Sequence, residues 1–412
     1  MNYYDSRETR TPAEREAELL GRLPAFLAQA RERAPAYAVA LAGLDLAQIN
    51  TRAALASLPV IRKSELSALQ SQRRPFGGLA TLGWGSQCAR VFASPGPIYE
   101  PEGARKDYWR MARAFYAAGF RAGDLVHNTF SYHFTPAGAM MESAAHALGC
   151  SVFPAGVGQT EQQVAAMRDL APSAYAGTPS FLRILLDKAD ELGTPITSLR
   201  KAFVSGEAFP PSQRQALEAR GIQAFQAYAT ADLGLIAYET PAREGLVLDE
   251  DLILEIVRPG TGDPLPEGEV GEVVVTSFNP DYPLIRFGTG DLSAILPGAS
   301  PCGRTNLRIK GWLGRADQTA KVRGMFVHPG QVAQVLKRHP EILRGRLVVD
   351  NPDLSDRMRL HCECQEAQAE GLRGAIENSL RELTKLRGEV LLCSPGSLPN
   401  DGKVIEDLRT YA

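Results

Sequence analysis

Residues 94–101, SPGPIYEP, place a serine, a glycine and a glutamate where a phosphate group could bind. The residues before them, ARVFA, are strand-like, and the residues after them, ARKDYWRMARAFYAAGF, predict a helix. A glycine-containing loop between a strand and a helix often binds phosphate, because backbone N–H groups face the anion there. This loop has one glycine, three prolines and no lysine, so by itself it is a poor phosphate site.

Polar residues also follow the other strands that the sequence predicts. Between residue 88 and about residue 240, strand-like segments alternate with helical segments of about 10–15 residues. This alternation predicts a parallel sheet of βαβ units, in which ligands bind beyond the carboxyl ends of the strands. The expected binding loops are therefore SYHFTPAG, GTPS, SGEAF and ATADLG.

Composition limits the classes of function. The chain has 412 residues and a formal net charge of −2, with lysine and arginine dispersed, which argues against a nucleic-acid surface. Six scattered cysteines fit free thiols in a reducing compartment better than a disulfide framework. The sequence shows neither the apolar run of a signal peptide nor the roughly 18 apolar residues of a membrane span. We therefore expect a soluble cytoplasmic protein.

The fold class that these patterns predict is α/β, with more than one domain. A large N-terminal domain, residues 1–316, contains the parallel βαβ sheet and a small β-rich subdomain at about 245–310. A small α+β C-terminal domain, residues 317–412, follows. Near the start, Thr11 and Glu14 predict a capping box, and Pro24 predicts a kink or break in the helix that follows.

Six segments, in order, resemble those of phenylacetate–CoA ligases, within the larger superfamily of adenylate-forming enzymes. They are SYHFTPAGAMMESAAHALGCSVFPAGVGQT, SGEAFPPSQRQALEARGIQAFQAYATADLG, PLIRFGTGDL, CGRT, GWLGRADQTAKVRGMFVHPGQV and PNDGKV. The resemblance implies an enzyme that activates a carboxylic acid with ATP and Mg²⁺, through an acyl-adenylate, and then forms the thioester of coenzyme A. It also implies a mobile C-terminal domain that rotates between the two half-reactions, and a homodimer as in many relatives.

The same resemblance assigns the nucleotide to three strand-end loops. Tyr228 would stack on adenine, since an aromatic face suits a purine. Asp291 would accept hydrogen bonds from both ribose hydroxyls, because a carboxylate has two acceptor oxygens. Thr230 would lie near the phosphate as a catalytic residue. The further nucleotide-binding residues implied are Gly206, Glu207, Ala229 and Arg315.

Metal binding, catalysis and coenzyme A binding are assigned in the same way. Asp232 stands where the family has a glutamate that holds Mg²⁺, and it is one methylene shorter. Lys403 would reach the carboxylate and α-phosphate oxygens during adenylation and stabilise negative charge there. Asp317 would be the hinge between the domains. The residues expected near the coenzyme A tunnel are Lys321, Arg323 and Gly324.

The acyl pocket is expected at the loops SYHFTPAG and AGTPS. Its candidate residues are Tyr132, His133, Phe134, Pro136 and Gly177. Each site residue also has a purely structural interpretation: SGEAF as a strand-to-helix turn, ATADLG as a capping loop, Asp291 in a β-turn, Lys403 on the surface. Some relatives carry a Cys-x-Cys zinc element near CGRT, but here only Cys302 is present, so we predict no structural zinc.

The loop SPGPIYEP leaves two hypotheses open. Laid on the phosphate loop of the superfamily, Ser-Ser/Thr-Gly-Thr-Thr-Gly-Lys-Pro, it keeps Ser94 and Gly96 but has Glu100 in place of the lysine. Pro95 and Pro97 remove two backbone donors. The chain is then either an active acid–CoA ligase or a degenerate homologue that binds a nucleotide, acyl-adenylate or CoA ester without adenylating. We expect Glu100 to point to solvent.

Overall fold

The computed structural model of the chain describes residues 3–316, 318, 320–323, 325–327, 329–352, 355–365, 370–399 and 403–410. The chain divides into two compact units, Met1–Leu313 and Gly314–Ala412. The sequence placed the domain boundary three residues later, between residues 316 and 317. Asp317 and Gly324, the expected hinge and a coenzyme A residue, lie outside the described residues.

The first helix, α1 (Pro12–Arg33), begins with the predicted capping box. The Glu14 N–H donates to Thr11 Oγ1 at 3.2 Å, and the Thr11 N–H donates to the Glu14 carboxylate at 2.8 Å. The predicted break at Pro24 is wrong, because the helix continues through it. A proline there removes one backbone hydrogen bond, and burial of neighbouring side chains such as Leu23 holds the helix together.

Short elements follow α1 and lead into the body of the first unit. They are α2 (Pro35–Ala40), α3 (Arg52–Ala56), β1 (Ile61–Arg62) and α4 (Leu66–Gln72).

The segment SPGPIYEP is the turn and second strand of a β-hairpin, so the predicted strand–loop–helix is wrong. The strands β2 (Cys88–Ser94) and β3 (Ile98–Gly103) pair antiparallel, with Ser94 opposite Ile98. The prolines leave only a short turn, and an extended chain follows it. The segment therefore has no helix N-terminus to offer an anion.

The helix predicted over residues 104–120 is confined to α5 (Ala112–Ala117). Asp107 and Arg110 have φ angles of 49° and 61°, which a right-handed helix cannot contain. The Asp107 carboxylate instead accepts a hydrogen bond from the Ala112 N–H at 3.2 Å. The aspartate thus makes a local backbone contact that competes with the helix.

The alternation of strands and helices predicted after residue 120 is confirmed. Its elements are β4 (Leu125–Asn128), α6 (Ala137–Ala147), β5 (Ser151–Pro154), α7 (Thr160–Leu170), β6 (Ala174–Gly177), α8 (Pro179–Glu191), β7 (Lys201–Val204), α9 (Pro211–Ala219) and β8 (Gln223–Thr230). The strands pair in parallel in the order β5-β4-β6-β7-β8. Their carboxyl ends, followed by the expected binding loops, therefore share one edge of the sheet.

The β-rich stretch forms one small sheet and also extends the large one. Its strands are β9 (Gly234–Tyr238), β10 (Leu246–Leu248), β11 (Leu252–Val257), β12 (Gly271–Ser277), β13 (Leu284–Ser293), β14 (Ile295–Leu296) and β15 (Arg308–Ile309). The second sheet has the order β1-β13-β12-β11. The expectation of one separate subdomain is only partly right, because β9, β10, β15 and β14 continue the large sheet beyond β8.

The second unit is an α+β fold with its own core. Its elements are β16 (Gly314–Arg315), β17 (Ala320–Val322), β18 (Met325–Val327), α10 (Pro329–Arg338), β19 (Ile342–Asp350), β20 (Arg357–Cys364), α11 (Glu370–Thr384), β21 (Glu389–Cys393) and β22 (Ile405–Asp407). A sheet of order β21-β20-β19-β22 buries Leu347 and Leu360 against Ile376 of α11. Over the described residues of both units, no helix has the length and apolar character needed to cross a membrane.

Candidate active site

Two residues predicted to bind the nucleotide meet where β8 and β13 approach one another. The Tyr228 hydroxyl donates to Asp291 Oδ2 at 2.8 Å and lies 3.2 Å from Thr289 Oγ1. The Trp312 indole N–H donates to Asp291 Oδ1 at 3.0 Å. These two donors orient the Asp291 carboxylate. The sequence did not indicate Trp312.

The turn between β8 and β9 carries the candidate phosphate and metal residues. Thr230 ends β8, and its Oγ1 accepts a hydrogen bond from the Leu233 N–H at 3.1 Å. Asp232 is only 3% exposed. Its Oδ2 forms an ion pair with Lys63 Nζ. Its Oδ1 is buried and has no hydrogen-bond partner among the described residues.

Lys63 is the functional candidate that the sequence did not reveal. It follows β1, which pairs in parallel with β13 at Arg62 and Gly288, so the fold places it near the Asp291 end of that strand. Burial opposes its charge, but the carboxylates of Asp232 and Glu100 overcome that effect and raise the pKa of Lys63. In the sequence, the segment LPVIRKSEL looks like a linker. Nothing near it indicates a role for Lys63, because the partner of Lys63, Asp232, lies 169 residues further on.

Glu100 is buried, so the prediction that it points to solvent is wrong. It is 0% exposed, and its Oε2 accepts a hydrogen bond from the Ser94 N–H at 3.2 Å. Its Oε1 accepts a second hydrogen bond from the Ser94 hydroxyl. Burial, and then the charge of Asp232, raises the pKa of Glu100 to about 8. The antiparallel register explains this orientation, because it turns Glu100 to the same side as Ser94.

The hairpin therefore uses its own polar groups internally. Both donors of Ser94, the loop residue shared with the superfamily, already bond to Glu100. Gly96 lies in the turn, where the Ile98 side chain fills the space beside it. The Glu100 carboxylate therefore already accepts the hydrogen bonds that Ser94 could otherwise donate to a phosphate.

The SGEAF loop contains an exposed glycine, which would allow a ligand to approach closely, and a glutamate that caps a helix. Gly206 is exposed with a φ of 85°, a conformation that favours glycine. The Glu207 carboxylate accepts a hydrogen bond from the Ser180 N–H at 2.6 Å, at the beginning of α8. Glu207 therefore caps a helix, and its proposed contact with a purine edge stays a prediction.

The acyl-pocket candidates differ in their surroundings. Tyr132 is half-buried, and its hydroxyl accepts a hydrogen bond from Asn128 Nδ2 at 2.7 Å. His133 is exposed, and the Phe134 ring is 80% exposed, whereas Pro136 is buried. The role of these residues in an acyl pocket stays a prediction.

Gly177, the remaining acyl-pocket candidate, ends β6. A Cβ atom at Gly177 would overlap Thr129 Oγ1 and the Tyr175 hydroxyl, which are 2.7 Å apart. The role of this glycine in an acyl pocket stays a prediction, while its close packing is observed.

The second unit carries the remaining candidate residues. Lys403 is 52% exposed, and its Nζ lies 3.6 Å from Glu406 Oε1. The Arg323 N–H donates to Asp356 Oδ2 at 2.7 Å, and its guanidinium donates to the Asp356 carbonyl. Arg315 lies in β16 and Lys321 in β17, and the side chain of Lys321 lies outside the described residues.

Comparison with known proteins places this arrangement in a family. A model of the AMP-binding enzyme family matches residues 106–279. The phenylacetate–coenzyme A ligase of Thermus thermophilus is 30% identical, over 94% of this chain and 95% of the relative. The phenylacetate–coenzyme A ligase of Aromatoleum evansii is 31% identical, over 91% of this chain and 89% of the relative. The chain belongs to the phenylacetate–CoA ligase family of adenylate-forming enzymes.

A solved structure agrees with this assignment over the whole chain. It is a crystal structure of 2-hydroxyisobutyryl-CoA ligase in complex with 2-HIB-AMP and CoA in the thioesterification state. The TM-score is 0.84 and the sequence identity 25%, and the alignment covers 100% of this chain and 93% of that chain. The predicted fold class and the predicted enzyme class, an acid–CoA ligase, are thereby confirmed.

Proposed function

We propose that this protein is an ATP-dependent acid–CoA ligase that activates an aryl or similar small carboxylic acid. The acid would attack the α-phosphorus of ATP, giving an acyl-adenylate and pyrophosphate. The thiol of coenzyme A would then displace AMP and form the thioester. One observation carries the proposal: Tyr228 and Asp291, assigned to adenine and ribose, are joined by a hydrogen bond of 2.8 Å in a member of this family.

The roles of the chain's residues follow from their chemistry. Asp291 would accept hydrogen bonds from the ribose hydroxyls, and Tyr228 and Trp312 hold its carboxylate in place. Lys403 would stabilise the negative charge that develops as the acid attacks, since it is a mobile point charge. In the second half-reaction the hinge Asp317 would let the second unit rotate. Coenzyme A would then meet Lys321, Arg323 and Gly324.

The acid itself is proposed only as a class. The names of the relatives point to phenylacetate, and that of the solved structure points to a 2-hydroxy acid. Tyr132 offers an aromatic face beside a hydrogen-bonded hydroxyl, which suits an aryl acid better than an aliphatic one. We also propose that the enzyme acts in the cytoplasm as a homodimer, as its resemblance to the family implies.

The residues present fit Mg²⁺, which such a reaction requires. Asp232 has a buried oxygen, Oδ1, without a hydrogen-bond partner among the described residues, and hard carboxylate oxygens suit this ion. No group of three His, Cys, Asp or Glu side chains forms a metal cage within the described residues. Mg²⁺ usually takes only one or two carboxylates and completes its shell with phosphates and water. When bound, it would neutralise charge on the phosphates of ATP.

A second candidate function is favoured by the buried Glu100. The Glu100 carboxylate already bonds to both donors of Ser94, so fewer hydrogen-bond donors are left for a triphosphate. The chain would then bind AMP, an acyl-adenylate or a CoA ester without adenylating an acid. The two candidates share the Tyr228 and Asp291 contacts and differ only in whether ATP is cleaved.

The experiment that separates them is acid-dependent exchange of labelled pyrophosphate into ATP, followed by detection of the thioester with coenzyme A. The panel of acids includes phenylacetate, benzoates, 2-hydroxy acids and short aliphatic acids. We expect exchange with at least one acid, and we expect Lys403→Ala and Asp291→Ala to abolish it. The absence of exchange with every acid, together with thermal stabilisation by AMP or coenzyme A, would establish the second candidate instead.

A further inference from the structure

The loop between β4 and α6 is closed at its base by one buried side chain. Asn128 is the last residue of β4 and is 0% exposed. Its Nδ2 donates to the Tyr132 hydroxyl at 2.7 Å and to the Gly138 carbonyl, ten residues further along the chain, at 2.9 Å. Its Oδ1 accepts a hydrogen bond from the Phe130 N–H at 3.3 Å. Both hydrogens of the amide are therefore used within this loop.

The partners of Asn128 also fix which way its amide points. The Gly138 carbonyl can only accept a hydrogen bond, so the amide atom beside it has to be the nitrogen. The second hydrogen of that nitrogen then points to the Tyr132 hydroxyl. The Tyr132 ring is therefore tethered by its hydroxyl to the end of β4.

The Tyr132 ring lies directly against Gly138, the second residue of α6. A Cβ atom at Gly138 would be 2.9 Å from Tyr132 Cγ, closer than Cβ atoms approach other atoms in proteins. It would also be 2.7 Å from the Ser131 carbonyl oxygen, which accepts a hydrogen bond from the Gly138 N–H at 3.0 Å. Only glycine lets the ring and the loop backbone pack this close to the helix.

The tethered ring lies at the edge of the sheet where a ligand is expected. Thr129 follows Asn128, and its N–H donates to the Ala176 carbonyl of β6 at 2.8 Å, which holds the loop to the neighbouring strand. Ligands of parallel sheets bind beyond this edge. Tyr132 is only half-buried, so part of its side chain is open to a ligand. A flat ring in a fixed position packs best on another flat ring.

We propose that Asn128 and Gly138 are positioning residues, which hold the Tyr132 ring as a flat wall and make the acyl site prefer aryl acids over aliphatic acids of the same size. The proposal rests on the proposed function, since it takes the acid to bind beside Tyr132. Neither positioning residue would touch the acid. Asn128 acts through the Tyr132 hydroxyl, and Gly138 acts through the room that it leaves for the ring.

The alternative is that both residues only stabilise the loop, and the two ideas predict different patterns of affinity. If Asn128 only stabilises the loop, then its loss weakens the binding of every acyl group alike. If it positions the Tyr132 ring, then its loss weakens the binding of a flat acyl group more than that of a puckered one. The ratio of two affinities therefore separates the two ideas.

The experiment measures the binding of two sulfamoyl-adenosine mimics of an acyl-adenylate by isothermal titration calorimetry, so no turnover is needed. One mimic carries the phenylacetyl group, because the relatives are phenylacetate–coenzyme A ligases. The other carries cyclohexylacetyl, which has the same number of carbon atoms but no flat ring. The variants of the full chain are Asn128→Ala, Gly138→Ala, Tyr132→Ala and the double variant that combines Asn128→Ala with Tyr132→Ala.

We expect the wild type to bind the phenylacetyl mimic about twofold to tenfold more tightly than the cyclohexylacetyl mimic, which is the range that one aromatic pair contributes. Asn128→Ala should remove this preference, because the untethered ring no longer offers a fixed face. Gly138→Ala should also remove it, because the added methyl group displaces the ring. In a chain that carries Tyr132→Ala, the further change Asn128→Ala should leave the ratio unchanged, since the two residues act as one unit.

Asn306→Ala is the matched control. Asn306 is also buried, and its Nδ2 donates to the Leu248 and Asp249 carbonyls at 3.0 and 3.2 Å. Its loss removes a comparable pair of hydrogen bonds and should keep the wild-type ratio. The proposal is overturned if Asn128→Ala keeps the wild-type ratio, or if the wild type has no preference for the flat ring.

Failure of this proposal is distinguishable from failure of the proposed function. If pyrophosphate exchange occurs with an aryl acid while Asn128→Ala keeps the wild-type ratio, only the positioning is wrong. If the ratio changes as expected and no acid supports exchange, the positioning stands and the ligase activity fails. Thermal melting shows whether each variant folds. If Asn128→Ala does not fold, Tyr132→Phe removes the same hydrogen bond from the other side and should lower the ratio in the same direction.

Discussion

At the scale of single residues, the site depends on donors that hold a buried carboxylate before any ligand binds. The Asp291 carboxylate accepts hydrogen bonds from the Tyr228 hydroxyl at 2.8 Å and from the Trp312 N–H at 3.0 Å. A hydrogen bond to a charged group contributes more than one between neutral groups, because the charge is desolvated. Tyr228 therefore has a measurable structural role that is separate from any stacking on adenine.

We expect Tyr228→Phe to lower the free energy of unfolding by about 1.5–3 kcal/mol, since a buried carboxylate loses a donor. Urea denaturation of the ligand-free protein measures this change. Tyr4→Phe is the control, because the Tyr4 ring packs on Tyr116 of α5. Equal stability of Tyr228→Phe and the wild type would show that the hydrogen bond is not stabilising.

At the scale of elements, the strands of the parallel sheet are held at their carboxyl ends by close contacts. The end of β6 shows this most clearly, because Gly177 leaves room for the hydrogen bond between Thr129 and Tyr175 at 2.7 Å. Both of these side chains are buried. A side chain at Gly177 would have to displace a satisfied polar pair and the strand that carries it.

Gly177→Ala should lower the free energy of unfolding by about 1–3 kcal/mol, because overpacking forces the Thr129–Tyr175 pair apart. Differential scanning calorimetry would record a lower Tm. Gly21→Ala in α1 is the matched control, since no atom lies within 4 Å of the Cβ it would add. Alanine is the better helix former, so the control should be stabilised by up to about 1 kcal/mol. A Tm for Gly177→Ala at or above the wild-type value would contradict the crowding.

The parallel elements could be predicted from the sequence because each is encoded locally. Buried strands such as β6 and β7 are short apolar runs, and the helices between them have clear hydrophobic faces. The hairpin could not be predicted in this way. Its second strand, β3, contains Glu100 and Pro101, which are residue types that strands disfavour. Only the pairing with β2 makes this segment extended.

At the scale of the whole molecule, the site joins residues that are distant in the sequence. Motif residues such as Tyr228 and Asp291 could be predicted because they sit in family-like segments. The role of Lys63 could not, since it depends on an ion pair with a turn 169 residues further on. The buried orientation of Glu100 could not either, since it depends on the pairing of β2 with β3. Local sequence patterns predict which segments contribute to a site. Which charged side chains pair within that site depends on the fold.

The large unit also buries a neutral histidine, so its stability should depend on pH. His127 is buried beside Gln163, and desolvation lowers the pKa of His127 below its usual 6.5. The unfolded chain therefore binds a proton that the folded state does not bind, and stability falls as the pH drops below about 6.5.

We expect His127→Gln to reduce the loss of unfolding free energy between about pH 7 and pH 5, as measured by urea denaturation. His146→Gln is the control for the loss of an imidazole, because His146 is an exposed residue of α6. An identical pH dependence in His127→Gln and the wild type would mean that His127 has the same pKa in the folded and the unfolded chain.

The β2–β3 hairpin also has a consequence for the kinetics of nucleotide binding. When a flexible loop becomes ordered on binding a ligand, the conformational entropy that it loses is subtracted from the affinity. In this protein the ladder between β2 and β3, and the bonds from Ser94 to Glu100, fix the segment in advance. Under the proposed function, a nucleotide that binds beside this segment would spend no conformational entropy on ordering it.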